Sequence, residues 1–470
     1  MTPRNITLHT YLKELALREP HKKMLGNPSC WLDAQTVLER VESAACCLCS
    51  RGIDSGSFVA LRTTRTVETV ITMLALQAIG AVAVLTDARE EPMAFLKNRG
   101  LEIPVEHSLD AGQLNIFNLP SRSFPQREID PKSPGFIIFT SGSTGNCKAV
   151  VLSQDNVISS PVDADPFGYY LDGDLALGVL PLDHVFGLVL LAGVFVIGYA
   201  LYLPEKTDIP SILEAIQKEH LTRMNGVPSL YLAMAARKAG YDLSSLRAGF
   251  IGGGPCTPEQ FRYIEKELDM TLVPAYGMSE CVSITTTSYL DSQEKRATTV
   301  GRFYPRNTGK ILLEDGWEAP VGVEGEICVD SPSRMLGYYG EPSSAAPLLA
   351  TGDLGYMDED GFIHISGRKK DIIIRNGNNL SARRIEEAIL SIPGIQDAAV
   401  VGLPHETQGE APWVMAVGNL TDSEILTHLS EMLVKNELPM GIQMVDELPR
   451  TASGKPDKQR IREVLGQWKA

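Results

Sequence analysis

Residues 134–153 read PGFIIFTSGSTGNCKAVVLS. The apolar run Phe136 to Phe139 passes directly into Thr140, Ser141, Gly142, Ser143, Thr144 and Gly145, followed by Lys148 and a second β-branched run, Val150-Val151-Leu152. This pattern predicts strand, hydroxyl-and-glycine loop, strand. Gly142 and Gly145 let backbone amides converge, and the hydroxyls of Thr140, Ser141, Ser143 and Thr144 donate to anionic oxygens. Such a loop suits a polyphosphate, with Lys148 as a cation at its exit. The P-loop of nucleotide hydrolases does not fit. It needs Gly immediately before its Lys and Ser or Thr immediately after, where Cys147 and Ala149 stand here. Ser, Thr and Gly also make ordinary turns, so the companions of this stretch decide its reading.

On the N-terminal side, residues 8 to 51 carry apolar residues at helical spacing and predict two amphipathic helices. Phe58 to Leu61, Val67 to Ile79 and Ala81 to Leu85 then read as strand, helix and strand, which predicts parallel pairing. Residues 87 to 133 are polar and proline-bearing, and predict no regular element. On the C-terminal side, β-type runs recur at Leu175 to Leu180, Ala200 to Leu203, Arg223 to Val227, Ala248 to Ile251 and Thr271 to Ala275. Helical stretches such as Ile209 to Lys218 and Ser229 to Ala236 separate them, the rhythm of a doubly wound α/β domain. From about Thr308 short strands with turns predict a small β-rich subdomain. Beyond Gly367 mixed helices and strands predict a small α+β domain, and the linker is Gly367 to Asp371, where glycine and charge leave little to bury. The expected fold is α/β: an N-terminal core, residues 1–367, of doubly wound sheets plus the β-rich subdomain, then a mobile C-terminal lid, residues 368–470.

A chain of 470 residues exceeds one compact core, and 44% hydrophobic content with 41 Gly and 29 Pro is ordinary for a globular α/β protein. A net charge of −15 argues against nucleic acid and acidic membrane surfaces as partners. The eight cysteines lack metal-like spacing and read as small buried hydrophobes in a reducing cytoplasm. The charged N-terminal stretch contains no secretory apolar core. Val185 to Leu203 has no charged residue and reaches spanning length, but Gly187, Gly193 and Gly198 interrupt it. A buried helix followed by a buried strand is the expectation.

Four further motifs accompany the loop. Tyr276-Gly277-Met278-Ser279-Glu280 ends an apolar strand, where ligands bind in open α/β sheets; Tyr276 offers a ring to stack on a base and Glu280 a carboxylate for Mg²⁺. Thr351-Gly352-Asp353 presents a carboxylate on a tight turn, suited to two ribose hydroxyls. Gly367-Arg368-Lys369-Lys370-Asp371 supplies an arginine. Pro449 to Lys455 puts a lysine on a glycine-preceded loop.

This set resembles the adenylate-forming superfamily of acyl-CoA synthetases, adenylation domains and luciferases. The matching stretches are TSGSTGNCK (140–148), PLDHVFGL (181–188), GVPS (226–229), GGGP (252–255), YGMSE (276–280), VGR (300–302), GEI (325–327), TGDLG (351–355), GRKKD (367–371) and PRTASGK (449–455). Cys147 and Ser279 stand where the family usually has Pro and Thr. The resemblance implies ATP-dependent activation of an acyl or aryl acid to acyl-AMP, with Mg²⁺, and transfer to the thiol of coenzyme A or of a carrier-protein phosphopantetheine. It further implies that the 140–148 loop holds the β- and γ-phosphates, and that Gly253, Gly254 and Tyr276 form the adenine slot. Ser279 and Glu280 would contact the α-phosphate and Mg²⁺, and Asp353 and Arg368 would clamp the ribose. Lys455 would serve the reacting oxygens. His184, Val185, Ala275, Gly277 and Cys281 fall at the acid pocket, His184 also at the thiol channel. Lys370 is the implied hinge, and Gly377 is presented to the thiol.

Overall fold

The computed structural model describes residues 6–141, 147–167, 169–342, 346–450 and 456–469. Of the residues singled out above, Gly142, Ser143, Thr144, Gly145 and Lys455 lie outside that set, and only the backbone of Ser141 is described.

The opening stretch forms an antiparallel hairpin of Pro134–Ser141 and Cys147–Ser153, with Thr140 opposite Lys148 and Ser141 opposite Cys147. Its apolar runs pair across the hairpin up to the rung of Ser141 with Cys147. The hairpin belongs to a six-stranded sheet, running from Gly337–Tyr338 through Cys147–Ser153, Pro134–Ser141, Val82–Asp87 and Phe58–Thr63 to His107–Asp110. Phe58–Thr63 and Val82–Asp87 are parallel, joined by the helix Val67–Ile79. The Thr66 hydroxyl caps that helix at its start, and Gly80, at φ +88°, ends it in the left-handed conformation that favours glycine. The helix is apolar on every side because it is buried on every side.

A nine-stranded sheet adjoins it. Its parallel portion runs Thr271–Met278, Ala248–Ile251, Arg223–Gly226, Leu175–Leu177, Ala200–Tyr202 and Lys23–Gly26. Ile209–Glu219, Pro228–Arg237 and Pro258–Leu268 are the crossover helices. Val185 to Leu203 forms the helix Val185–Val196 and the strand Ala200–Tyr202, both mostly buried. Each fully buried Leu or Ile contributes roughly 2 kcal/mol, so this stretch is core. Among the described residues no helix is long and apolar enough to cross a membrane.

Thr308–Leu312, Gly325–Asp330, Leu349–Met357 and Ile363–Arg368 make a four-stranded antiparallel sheet. The remaining sheet lies within residues 372–444, covered by Ala382–Leu390, Asp422–Met432 and Lys458–Lys469. Its apolar clusters, around Ile373, Ile385 and Leu429 and around Val401, Met415 and Leu465, contain no residue before Ile373. The chain thus forms a large N-terminal α/β part and a small C-terminal α+β part.

Three features depart from expectation. A hairpin, Lys23–Gly26 with Trp31–Asp33, separates the first two helices. Residues 87–133 hold a helix, Pro92–Asn98, and a short edge strand, His107–Asp110; too short to show a period, the strand is recruited by its neighbour Phe58–Thr63. Thr351-Gly352-Asp353 is not a tight turn. It lies inside the strand Leu349–Met357 as a bulge, with Gly352 at φ +75° and the register slipping opposite Ile327. The extra residue re-aims Asp353.

Candidate nucleotide and acid site

The parallel strands Arg223–Gly226, Ala248–Ile251 and Thr271–Met278 end on one edge of the nine-stranded sheet, and the motif residues gather there. Gly253 and Gly254 directly follow the middle strand, and both are exposed. Gly252 is fixed by close approach, since a Cβ on it would sit 2.6 Å from the Ala275 carbonyl oxygen and 3.9 Å from the Phe186 ring. Phe186, in the first turn of the helix Val185–Val196, packs against the same apolar cluster as Ala275. His184, Val185 and Ala275 are half-buried and Gly277 is exposed. Cys281 departs from the expectation of a pocket lining. It is fully buried beside Ile284 and Val329, its thiol 3.7 Å from the Ser333 hydroxyl and pushed up to about 11 by burial.

Tyr276, Asp353 and Arg368 come together across the two sheets. The Tyr276 hydroxyl donates to Asp353 Oδ2 at 2.7 Å, and Arg368 Nε lies 2.8 Å from Asp353 Oδ1. Asp353 and Arg368 are cross-strand partners, so ladder register sets their meeting. Burial, reinforced by the Asp353 charge, pushes the Tyr276 phenol well above its ordinary value, so it keeps its proton and donates. Tyr276 therefore braces the carboxylate as well as offering a ring. Glu326 supports the bulge by accepting from the Gly352 amide at 3.1 Å.

Ser279 and Glu280 occupy the two corner positions of a tight hairpin, because Met278 pairs with Cys281. Glu280 Oε1 accepts from the Tyr338 hydroxyl at 2.8 Å. Lys148 Nζ sits 4.2 Å from the centre of the Tyr338 ring and 3.5 Å from Glu341 Oε1. Among the described residues no group of three or more His, Cys, Asp or Glu could hold a metal ion. A lone carboxylate nevertheless fits Mg²⁺, which keeps several waters and takes its other oxygens from substrate phosphates.

Sequence reasoning does not single out Tyr338, Glu341 or Glu326. They lie 58, 193 and 26 residues from Glu280, Lys148 and Gly352, and no local pattern announces such pairings. Lys370 is exposed in the short turn Lys369–Asp371. Gly377 follows Asn376 in a two-residue hairpin turn with φ +50° and +76°, the Asn-Gly pair that such turns favour.

Residues 97–339 match the family model described as AMP-binding enzyme, and residues 384–455 match the AMP-binding enzyme C-terminal domain. The chain is 30% identical to a 2-succinylbenzoate–CoA ligase of Bacillus cereus over 98% of its own length and 99% of the relative's. It is 32% identical to an acyl-CoA ligase of Aspergillus fumigatus over 76% of this chain, spanning 65% of that relative, just under two thirds of it. Among solved structures, ATP-bound MatB from Rhodopseudomonas palustris superposes with a TM-score of 0.88 at 24% identity, covering 98% of this chain and 99% of that one. The o-succinylbenzoate CoA synthetase of Bacillus subtilis, in complex with its acyl-adenylate intermediate, gives 0.85 at 25% identity over 96% and 97%. Two matched domain models and a relative aligned over nearly its full length lead to one conclusion: this chain belongs to the AMP-binding enzymes, the adenylate-forming superfamily.

Proposed function

We propose that this protein is an acid–thiol ligase. It joins a carboxylic acid to AMP at the expense of ATP, and then passes the acyl group to the thiol of coenzyme A. The observation that carries the reading is the Tyr276–Asp353–Arg368 constellation, whose Tyr276 lies on the strand that leads into the Ser279–Glu280 corner. A buried carboxylate held by a phenol and a guanidinium is suited to two vicinal ribose hydroxyls. The full-length similarity to a 2-succinylbenzoate–CoA ligase supports the choice of acid and thiol as the partners joined.

In the first step an oxygen of the acid attacks the α-phosphorus and pyrophosphate leaves. Two anions must meet, so donors fixed where charge accumulates stabilise the transition state more than the ground state. Thr140, Ser141 and Lys148 stand at the strand ends that bear the glycine loop, and this loop is assigned the β- and γ-phosphates. Ser279 is assigned the α-phosphate. Glu280 is assigned Mg²⁺, which would offset phosphate charge when bound. Gly253, Gly254 and the Tyr276 ring are assigned adenine, and Lys455 the reacting oxygens. His184, Val185, Ala275 and Gly277 are assigned the acid pocket.

In the second step the C-terminal part turns about Lys370 and brings Gly377 to the thiol. Anchoring on either side supports that pivot. Lys369 lies 3.1 Å from Glu326 in the four-stranded sheet, whereas Asp371 lies 3.2 Å from Lys458 in the last helix. Lys370→Pro should impair one half-reaction selectively, and unchanged rates for both would remove it as the pivot.

ATP–pyrophosphate exchange with an acid panel tests the function, with 2-succinylbenzoate, sulfoacetate and a long-chain fatty acid as its corners. Exchange with at least one acid, followed by CoA-dependent AMP release, is expected. Silence with every acid would overturn the reading.

A further inference from the structure

The segment 335–339 crosses between the two large sheets. Its Met335 amide donates to the Glu280 carbonyl at 2.9 Å, and its Leu336 and Tyr339 amides donate to Val151 and Ala149 at 2.9 and 2.8 Å. Tyr338 is cross-strand partner to Val150. Its two ends serve different groups: the hydroxyl donates to Glu280 Oε1 at 2.8 Å, and the ring carries the Lys148 ammonium at 4.2 Å. Tyr338 is the only described residue that donates to the Glu280 side chain, and because it takes Oε1 it leaves Oε2 for another ligand.

We infer that Tyr338 is a positioning residue that couples Glu280 to Lys148. Its hydroxyl fixes the carboxylate for a divalent cation, and its ring holds the lysine over the phosphate side of the nucleotide. This rests on the proposed function, since the cation and the phosphates are those of a bound magnesium nucleotide. A phenol that merely filled space would need neither contact.

Two variants separate the ends of the side chain. Y338F keeps the ring over Lys148 and deletes the donor; Y338L deletes both. For Y338F, the Mg²⁺ concentration giving half-maximal pyrophosphate exchange should rise about tenfold, the loss of one hydrogen bond to a charged group. Its kcat at saturating Mg²⁺, its melting temperature and its calorimetric affinity for metal-free ATP should stay at wild-type values. Y338L should in addition bind metal-free ATP about threefold more weakly, the size of a partly exposed cation–π contact. Wild-type magnesium dependence in Y338F would overturn the inference, as would equal losses of metal-free ATP binding in both variants. Calorimetry of MgATP against metal-free ATP reads the coupling without turnover. Silence of the wild type in exchange, together with weaker MgATP binding by Y338F, would therefore count against the proposed ligase activity and not against this coupling.

Discussion

The Asp353 side of the site and the Lys148 side are built on opposite plans. Asp353 is 4% exposed, receives donors from Tyr276 and Arg368, and is seated by a bulge whose amide Glu326 holds. Lys148 instead leans on an aromatic face and a carboxylate 3.5 Å away, with the two side chains 33% and 51% exposed. Leaving a buried hydrogen-bonding group without its partner costs about 1–3 kcal/mol, whereas an exposed ion pair contributes about 0–1 kcal/mol. The first arrangement is held from several sides at once. The second is exposed and exchanges partners at little cost, which suits the phosphate role assigned to Lys148 under the proposed function.

The largest expected effect comes from neither side. Lys455→Ala should lower acyl-adenylate formation by about two to three decades while sparing thiolysis of supplied acyl-AMP, measured as separate half-reactions. Equal loss in both would place Lys455 elsewhere. Asp353→Ala should come next. It leaves the Tyr276 hydroxyl without its carboxylate acceptor and frees the half-exposed Arg368, so urea unfolding should report a loss of about 1–3 kcal/mol, and KM for ATP should rise. A loss as small as that of an exposed pair would erase the contrast between the two sides. Glu341→Gln should change stability little and tighten ATP binding only about two- to threefold, by freeing Lys148 from an exposed partner. A tenfold change would mean that Lys148 is held as firmly as Asp353.

The smallest effect sharpens the rigid side. Asp358 sits at the turn that joins the strands bearing Asp353 and Arg368. Burial opposes its ionisation, but hydrogen bonds from Lys295, the Phe362 amide and His364 outweigh burial and bring it down to about 2. A folded value depressed below the unfolded value, about 4, gives stability that is present above pH 4 and lost as pH falls through 2. Asp358→Asn should cost a few tenths of a kcal/mol at pH 7 after screening. The gap from wild type should close steadily below pH 4 in pH-resolved denaturation.

Legibility in the sequence follows range. The hairpin around the glycine loop, the Val67–Ile79 helix and the helix–strand reading of Val185 to Leu203 are all readable, because period and turn residues act over a few positions. The Thr351-Gly352-Asp353 bulge reads wrongly as a turn, since Gly with a left-handed φ serves both and only the partner strand tells them apart. Cys281 reads as a lining residue from its place beside Glu280. The strand Cys281–Thr286 is buried along its whole length, and Cys281 packs against Ile284 and Val329 instead. Tyr338 and Glu341 are invisible, because their partners lie on other strands far along the chain.

The switch of anchorage between Lys369 and Asp371 has a thermodynamic corollary. No apolar cluster among the described residues straddles residue 370, so the proposed turn of one half against the other would divide no shared apolar cluster. The ties that cross are polar, such as the Ser381 hydroxyl donating to the Ser366 carbonyl at 2.7 Å. Such a swivel carries little heat-capacity signature, and dissolved salt should tune it more readily than mild denaturant.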